Sequence, residues 1–134
     1  DLSVIDMNDE GVAMLEDNLF ANAEWLEDNK EAAAKFLRAS IKGWQEAIKN
    51  PEGAVDIIMA QADEGSSTRE HQLIMMKEVA KLVVPEGFDA ANIGKIDAAM
   101  FQQTADIAHQ FGVIEKPIEG KSAYTTEIFE MATK

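Results

Sequence analysis

Residues 22–51 read NAEWLEDNKEAAAKFLRASIKGWQEAIKNP, a stretch that predicts two helices in close succession. Asn22 can cap a short helix over residues 23–28, and Asn29 can cap a long one over residues 30–49. In the long helix, apolar and small side chains recur at spacings of three and four, so one face must pack against another surface. This face consists of Ala33, Phe36, Leu37, Ser40, Ile41, Trp44, Ala47 and Ile48.

Four more helices are predicted from start signals further along the chain. A proline suits the first position of a helix, and Ser/Thr or Asp at a boundary can accept hydrogen bonds from the first free N–H groups. The starts are Pro51 (helix 51–63), Ser67 (capping-box spacing to Glu70), Asp97 (helix closed by Gly112) and Ser122 or Thr125. For the Ser67 helix, the predicted inward side consists of His71, Ile74, Met75, Glu78, Val79 and Leu82.

Only the segment before Asn22 favours β-structure. Residues 2–7 are short and rich in β-branched side chains, Gly11 interrupts the pattern, and residues 12–21 open with an apolar run. We therefore predict a mainly α fold with one or two short N-terminal strands.

Composition indicates a folded domain and excludes several classes of protein. The 134 residues, 46% hydrophobic and 28% charged, can bury a core without disulfides. A net charge of -13 opposes binding to nucleic acid or to an anionic membrane surface. Because cysteine is absent, disulfide frameworks, thiolate zinc sites and cysteine nucleophiles are excluded together.

No residue pattern predicts catalysis or a cofactor. His71 and His109 stand outside any metal-ligand spacing, and no GxSxG elbow supplies a nucleophile, so capping, surface or packing roles are favoured. The acidic stretch over residues 6–18 superficially resembles a calcium-binding loop. Its twelfth position is Asp17 rather than a bidentate Glu, which favours a solvated loop over a metal site.

The long helix and the residues after it resemble a known family. Similar motifs occur in the late part of periplasmic substrate-binding proteins of ABC importers, in the branch that carries thiamine-type pyrimidines, nitrate, sulfonates and taurine. Here the motifs are Phe36-Leu37-Arg38-Ala39, Gly43-Trp44, Ala47-Ile48, Asn50-Pro51-Glu52 and Ala54-Val55-Asp56-Ile57.

The resemblance implies the C-terminal portion of an α/β type 2 periplasmic binding protein fold. Residues 1–22 would be the strand segment that returns through the hinge, and residues 23–134 the helical region of the first lobe. The expected role is capture of a small solute between two lobes and its delivery to an ABC permease of the inner membrane. The expected location is periplasmic or extracytoplasmic, with lipid anchoring through an N-terminal part that is missing from this chain.

The resemblance also implies where the solute binds. In the family, the segment matching residues 10–18 lines the ligand cleft, which makes Glu10, Met14 and Glu16 the expected ligand contacts. A carboxylate can accept hydrogen bonds from an amino-pyrimidine while a thioether packs on its ring, whereas nitrate or a sulfonate would prefer cationic groups or N–H donors.

The sequence leaves two functions other than solute binding open. The chain could be a self-associating helical module without ligand function, which forms homo-oligomers through exposed apolar faces. It could also be an enzyme, because pyrimidine synthases of the same superfamily carry a cysteine cluster in this segment. The absence of cysteine argues against the enzyme.

Overall fold

The computed structural model describes residues 3–7, 9–63 and 65–134 and confirms a mainly helical chain. Two 3₁₀ turns, Ala90–Asn92 and Gly120–Ser122, interrupt the later loops. The helices are α1 (Ala23–Asp28), α2 (Lys30–Lys49), α3 (Pro51–Gln61), α4 (Arg69–Val83), α5 (Ala98–Gln110) and α6 (Glu127–Thr133). Within the described residues, no helix combines the length and apolarity that a membrane crossing requires.

Side-chain caps fix three of the helix starts where the sequence predicts them. Asn22 Oδ1 accepts a hydrogen bond from Trp25 N–H at 3.0 Å and opens α1. Asn50 and Asp97 open α3 and α5 in the same way. Asn29 differs, because its side-chain amide donates to the Trp25 carbonyl at 2.8 Å and so closes α1.

The cap of α4 is one residue later than predicted. Thr68 Oγ1, not the Ser67 hydroxyl, accepts from His71 N–H at 3.2 Å. Ser67 Oγ instead accepts from the Gln72 side chain at 3.1 Å.

This difference can be tested with a matched pair of substitutions. Thr68→Ala removes the acceptor from an otherwise free helical N–H and should lower the free energy of unfolding by about 1 kcal/mol. Ser67→Ala removes only a contact between side chains and should cost less. Urea denaturation of the two variants measures the difference. A larger loss for Ser67→Ala would restore the sequence-predicted cap.

The inward side predicted for α4 is wrong except at Val79. Met76 is the buried residue of this helix, whereas Ile74, Met75 and Leu82 are exposed. The face turned toward the protein is Gln72, Leu73, Met76, Val79, Ala80 and Val83. Both faces carry apolar side chains, so periodicity alone did not identify which one α3 covers.

The predicted N-terminal strands are also wrong, because the described parts of residues 2–7 and 12–21 form no β-ladder. Leu2, in the first of them, lies outside the described residues. A strand needs a neighbouring backbone to satisfy its N–H and C=O groups. Here side chains of α5 take that place, as Leu15 N–H donates to Thr104 Oγ1 at 2.9 Å and the Ala13 carbonyl accepts from Gln103 at 3.1 Å.

The chain divides into two compact units. Unit 1 contains residues up to Lys30 together with Ile96–Glu127, and unit 2 contains Glu31–Lys95 with Ile128–Lys134. In unit 1, Gly120 packs closely on α5, and an added Cβ would lie 3.1 Å from the Phe101 ring. The Phe101 ring in turn meets that of Tyr124, with the centroids 4.9 Å apart.

Unit 2 contains the larger share of the buried core. The buried side chains are Ala34 and Ile41 of α2, Val55 of α3, Met76 of α4, Ile93 and Ala132. Two aromatic residues of the α2 face remain exposed all the same, with Phe36 62% and Trp44 38% accessible. The prediction of a packed α2 face is therefore met by Ile41 but not by its aromatic residues, and the other buried residue, Ala34, lies outside the predicted face.

Candidate functional site

The strongest candidate for a binding site is an apolar groove in unit 1, between the N-terminal segment and α5. The two contacts from Gln103 and Thr104 hold residues 13–15 against the middle of the helix. Thr104 Oγ1 also donates to the Met100 carbonyl at 2.9 Å, so its position is fixed by α5 itself. The groove therefore has one wall of extended chain and one of helix.

Its lining is entirely hydrocarbon and thioether. Met7, Val12 and Met14 form the N-terminal wall. Ile107, Ala108, Phe111 and Val113 form the other, at the C-terminal end of α5 and just beyond it. The cavity volume is about 330 Å³, within the range of about 300–1,000 Å³ typical of small-molecule sites.

Of the three residues expected to contact ligand, only Met14 lines this groove. Glu10 is exposed in a turn, where its N–H donates to the Asp6 carbonyl at 3.2 Å and Gly11 supplies the positive φ of 75°. Glu16 is exposed too, two residues after Met14. Asn8, part of the acidic stretch considered for calcium, lies outside the described residues.

Sequence reasoning missed the helical wall of the groove. Ala108 lies in the last turn of α5 and Phe111 directly follows the helix, where its side chain is exposed. A large apolar residue at the last turn, followed by Gly112 and by the equally exposed Val113, was the available signal.

Unit 1 is strongly acidic. Its residues include 14 acidic and three basic side chains, a net charge of -11, against 11 acidic and nine basic in unit 2. Lys30, the first basic residue of the chain, lies 3.1 Å from both Glu127 and Glu27. Hydrogen bonds to Glu127 and then Glu27 raise the pKa of Lys30 above its ordinary value. The Lys30 ammonium group is therefore already paired with two carboxylates.

A second groove of about 380 Å³ in unit 1 is a weaker candidate. It is lined by Ala98, Gln102, Glu119, Lys121 and Tyr124. The Gln102 side chain is already bonded to Asp106, to the Ile118 carbonyl and to Gly120 N–H. Lys121 lies 3.4 Å from Glu119. The polar groups of Gln102, Glu119 and Lys121 are therefore already engaged within the protein.

The two histidines are surface residues. His71 and His109 are both exposed, and the His71 N–H serves the Thr68 cap. Among the described residues, no three His, Cys, Asp or Glu side chains are grouped so as to hold a metal ion.

Comparison with known proteins finds similarity to substrate-binding proteins. Residues 1–54 match the family described as NMT1/THI5 like. The formylaminopyrimidine-binding protein of Halalkalibacterium halodurans is 24% identical over 113 residues, which are 81% of this chain and 32% of that protein. The riboflavin-binding protein RibY of Chloroflexus aurantiacus is 24% identical over 102 residues, 74% of this chain and 28% of the relative.

These matches confirm the resemblance to substrate-binding proteins inferred from the motifs after α1. The chain spans about a third of the length of the curated relatives it matches. No solved structure gives a significant match.

Proposed function

We propose that this relative of the NMT1/THI5-like binding proteins contributes the solute-contacting surface of an importer's substrate-binding component. The observation that carries the proposal is the coincidence of the family match with the groove. Residues 1–54 include the entire N-terminal wall, formed by Met7, Val12 and Met14. Both curated relatives are named for binding a nitrogen heterocycle. The solute would be pyrimidine-like, and nitrate or a sulfonate is the alternative.

In the proposed site, Met14 packs its thioether against the solute while Glu10 and Glu16 accept hydrogen bonds from it. A polarizable thioether suits the face of an aromatic ring. The two carboxylates are exposed on either side of Met14 in the chain and are free to orient toward an amino group at the mouth of the groove. Binding alone requires no bond to be made or broken, so we propose no enzymatic activity.

Surface area supports the proposal that a further polypeptide surface covers this chain. The chain exposes 10436 Å², whereas two separate compact domains of half its mass each would together expose about 8,400 Å². The difference between these two areas exceeds the roughly 800 Å² that one partner buries in a standard protein–protein interface. Such a surface is expected if residues 1–22 return from a second lobe and residues 23–134 clad the first.

The transport role follows from this two-lobed arrangement. Hinge closure would enclose the solute, and the closed form would dock on an ABC permease in the inner membrane. We accordingly propose a periplasmic or extracytoplasmic location, where lipid anchoring would keep the protein near its permease.

The direct test is solute binding by the complete gene product. Titration calorimetry with formylaminopyrimidine, riboflavin, nitrate and taurine should show saturable binding of at least one solute. Glu10→Gln and Glu16→Gln should each weaken that binding by about tenfold, the loss expected for one hydrogen bond to a charged acceptor. Glu24→Gln, in the first turn of α1, is the matched control and should bind normally. Unchanged affinity in both variants would remove Glu10 and Glu16 from the site.

Self-association is the second candidate function, and exposed apolar side chains of unit 2 favour it. Phe36 and Ile57 are 62% and 70% accessible, and such side chains can form a homo-oligomer interface. Light scattering of the complete gene product distinguishes the two functions. A dimer that binds none of the four solutes would favour the helical module.

A further inference from the structure

We propose that Met14 is a site of reversible oxidation, at which a peroxide forms methionine sulfoxide and thereby releases residues 12–15 from α5. The release removes one wall of the apolar groove of unit 1. It is a change in the conformation of the protein itself and can be measured without a solute. The inference therefore does not depend on the proposed function.

Met14 is accessible to an oxidant although it packs in the groove. It lines the groove, and its side chain is 40% accessible. The reaction of a thioether with a peroxide becomes faster with exposure. Met75 on α4 is accessible to a similar extent, at 45%, whereas Met76 is 7% accessible. Peroxide should therefore oxidise Met14 and Met75 in the folded protein and spare Met76.

The chemical step is a two-electron oxidation of the sulfur. A sulfur lone pair attacks one oxygen of hydrogen peroxide, and the S–O bond forms as the O–O bond breaks. The second oxygen takes the proton of the transferred one and leaves as water. Two methionine sulfoxide reductases, each specific for one sulfoxide epimer, restore the thioether. The modification can therefore be reversed.

The oxidised side chain finds no hydrogen-bond donor among the side chains of the groove. A sulfoxide is polar, and burying a polar group without a hydrogen bond is unfavourable. The lining side chains are hydrocarbon and thioether, without N–H or O–H groups. Two backbone amides of the lining are already used, because Val12 N–H donates to the Met7 carbonyl at 3.1 Å and Val113 N–H to the Ala108 carbonyl at 2.8 Å. The sulfoxide should therefore turn out of the groove toward water.

Hydrogen bonds to α5 lie on both sides of Met14 in the chain. The Ala13 carbonyl accepts from the Gln103 side chain at 3.1 Å, and Leu15 N–H donates to Thr104 Oγ1 at 2.9 Å. A single hydrogen bond of this kind adds only modest net stability. The apolar packing of Met14 between them therefore contributes a comparable share, and its loss should weaken both bonds together.

Hydrogen exchange measures the release of this segment directly. The complete gene product is treated with hydrogen peroxide, and exchange in peptides that cover residues 12–16 is followed by mass spectrometry. Exchange of Leu15 N–H should accelerate about tenfold, which corresponds to the loss of about half of the stabilisation gained by burying a methionine side chain. Treatment with both sulfoxide reductases should restore the original rate.

Leucine variants separate Met14 from the other exposed methionines. Leucine keeps the apolar volume of methionine but cannot form a sulfoxide. Met14→Leu should abolish the acceleration by peroxide. Met7→Leu and Met75→Leu should retain it, because the Met7 carbonyl is bonded within the N-terminal segment and Met75 belongs to unit 2.

Three results would overturn the inference. Acceleration that persists in Met14→Leu would assign the release to another oxidised residue. Complete oxidation of Met14 without faster exchange would mean that its packing does not hold the segment on α5. Oxidation of Met14 no faster than that of Met76 would mean that peroxide does not reach the groove. Failure of the complete gene product to bind any solute in calorimetry would reject the proposed function and leave these results unchanged.

Discussion

Val55→Asp is expected to lower the free energy of unfolding by about 3–5 kcal/mol, the range for an uncompensated charge in a core. Val55 is the only large side chain among the described residues with no accessible surface. It lies in α3, which packs on α4, and the helix pair is also linked by the ion pair between Arg69 and Asp56 at 2.8 Å. A carboxylate at this buried position would lose its hydration.

The matched control is Ile57→Asp, two residues further along the same helix. Ile57 is 70% accessible, so its carboxylate would stay hydrated and the free energy of unfolding should change by less than about 1 kcal/mol. Both free energies can be measured by urea denaturation, followed by circular dichroism at 222 nm. Equal losses in the two variants would mean that the face of α3 containing Val55 is not the packed one.

The helices were predictable because their signals are local. Asn22, Asn50 and Asp97 each accept an N–H three residues ahead, and nothing distant is needed to make that bond favourable. The cap of α4 was placed one residue early because Ser67 and Thr68 can both serve. The choice depends on which hydroxyl the chain brings to His71 N–H, and the pattern of residue types does not contain that information.

The site and the strands were harder to predict because both depend on contacts across the chain. Met14 could be placed in a cleft from the family resemblance. The pairing of its segment with Thr104, 89 residues after Leu15, could not. The packing of this segment on α5 also brings Phe111 to the groove. It leaves residues 12–21 without a neighbouring strand. The prediction of the buried face of α4 failed for a related reason. The helix has two apolar faces of similar periodicity, and contact with α3 decides which one is buried.

Arg38→Ala is expected to release α6 from α2 and to lower the free energy of unfolding by about 2–3 kcal/mol, the value of hydrogen bonds to a charged group. Arg38 Nε donates to the Ala132 carbonyl at 2.7 Å, and Nη2 donates to the Met131 carbonyl at 2.8 Å. The guanidinium thus binds two of the last carbonyls of α6, where the helix dipole is negative. This role was not predicted, because the α2 periodicity counted Arg38 only as a polar residue outside the packed face.

The effect should be concentrated in α6, since a helix of seven residues is not stable in water without tertiary contacts. Hydrogen exchange in α6 should therefore accelerate in Arg38→Ala while α3 and α4 remain protected. Arg38→Lys keeps the charge, but an ammonium group cannot donate two parallel hydrogen bonds as the planar guanidinium does. It should therefore recover only part of the lost free energy of unfolding. Lys42→Ala, an exposed cation one turn along α2, controls for removal of charge. If it accelerated exchange in α6 as much as Arg38→Ala, the attachment would depend on net charge rather than on the two carbonyl bonds.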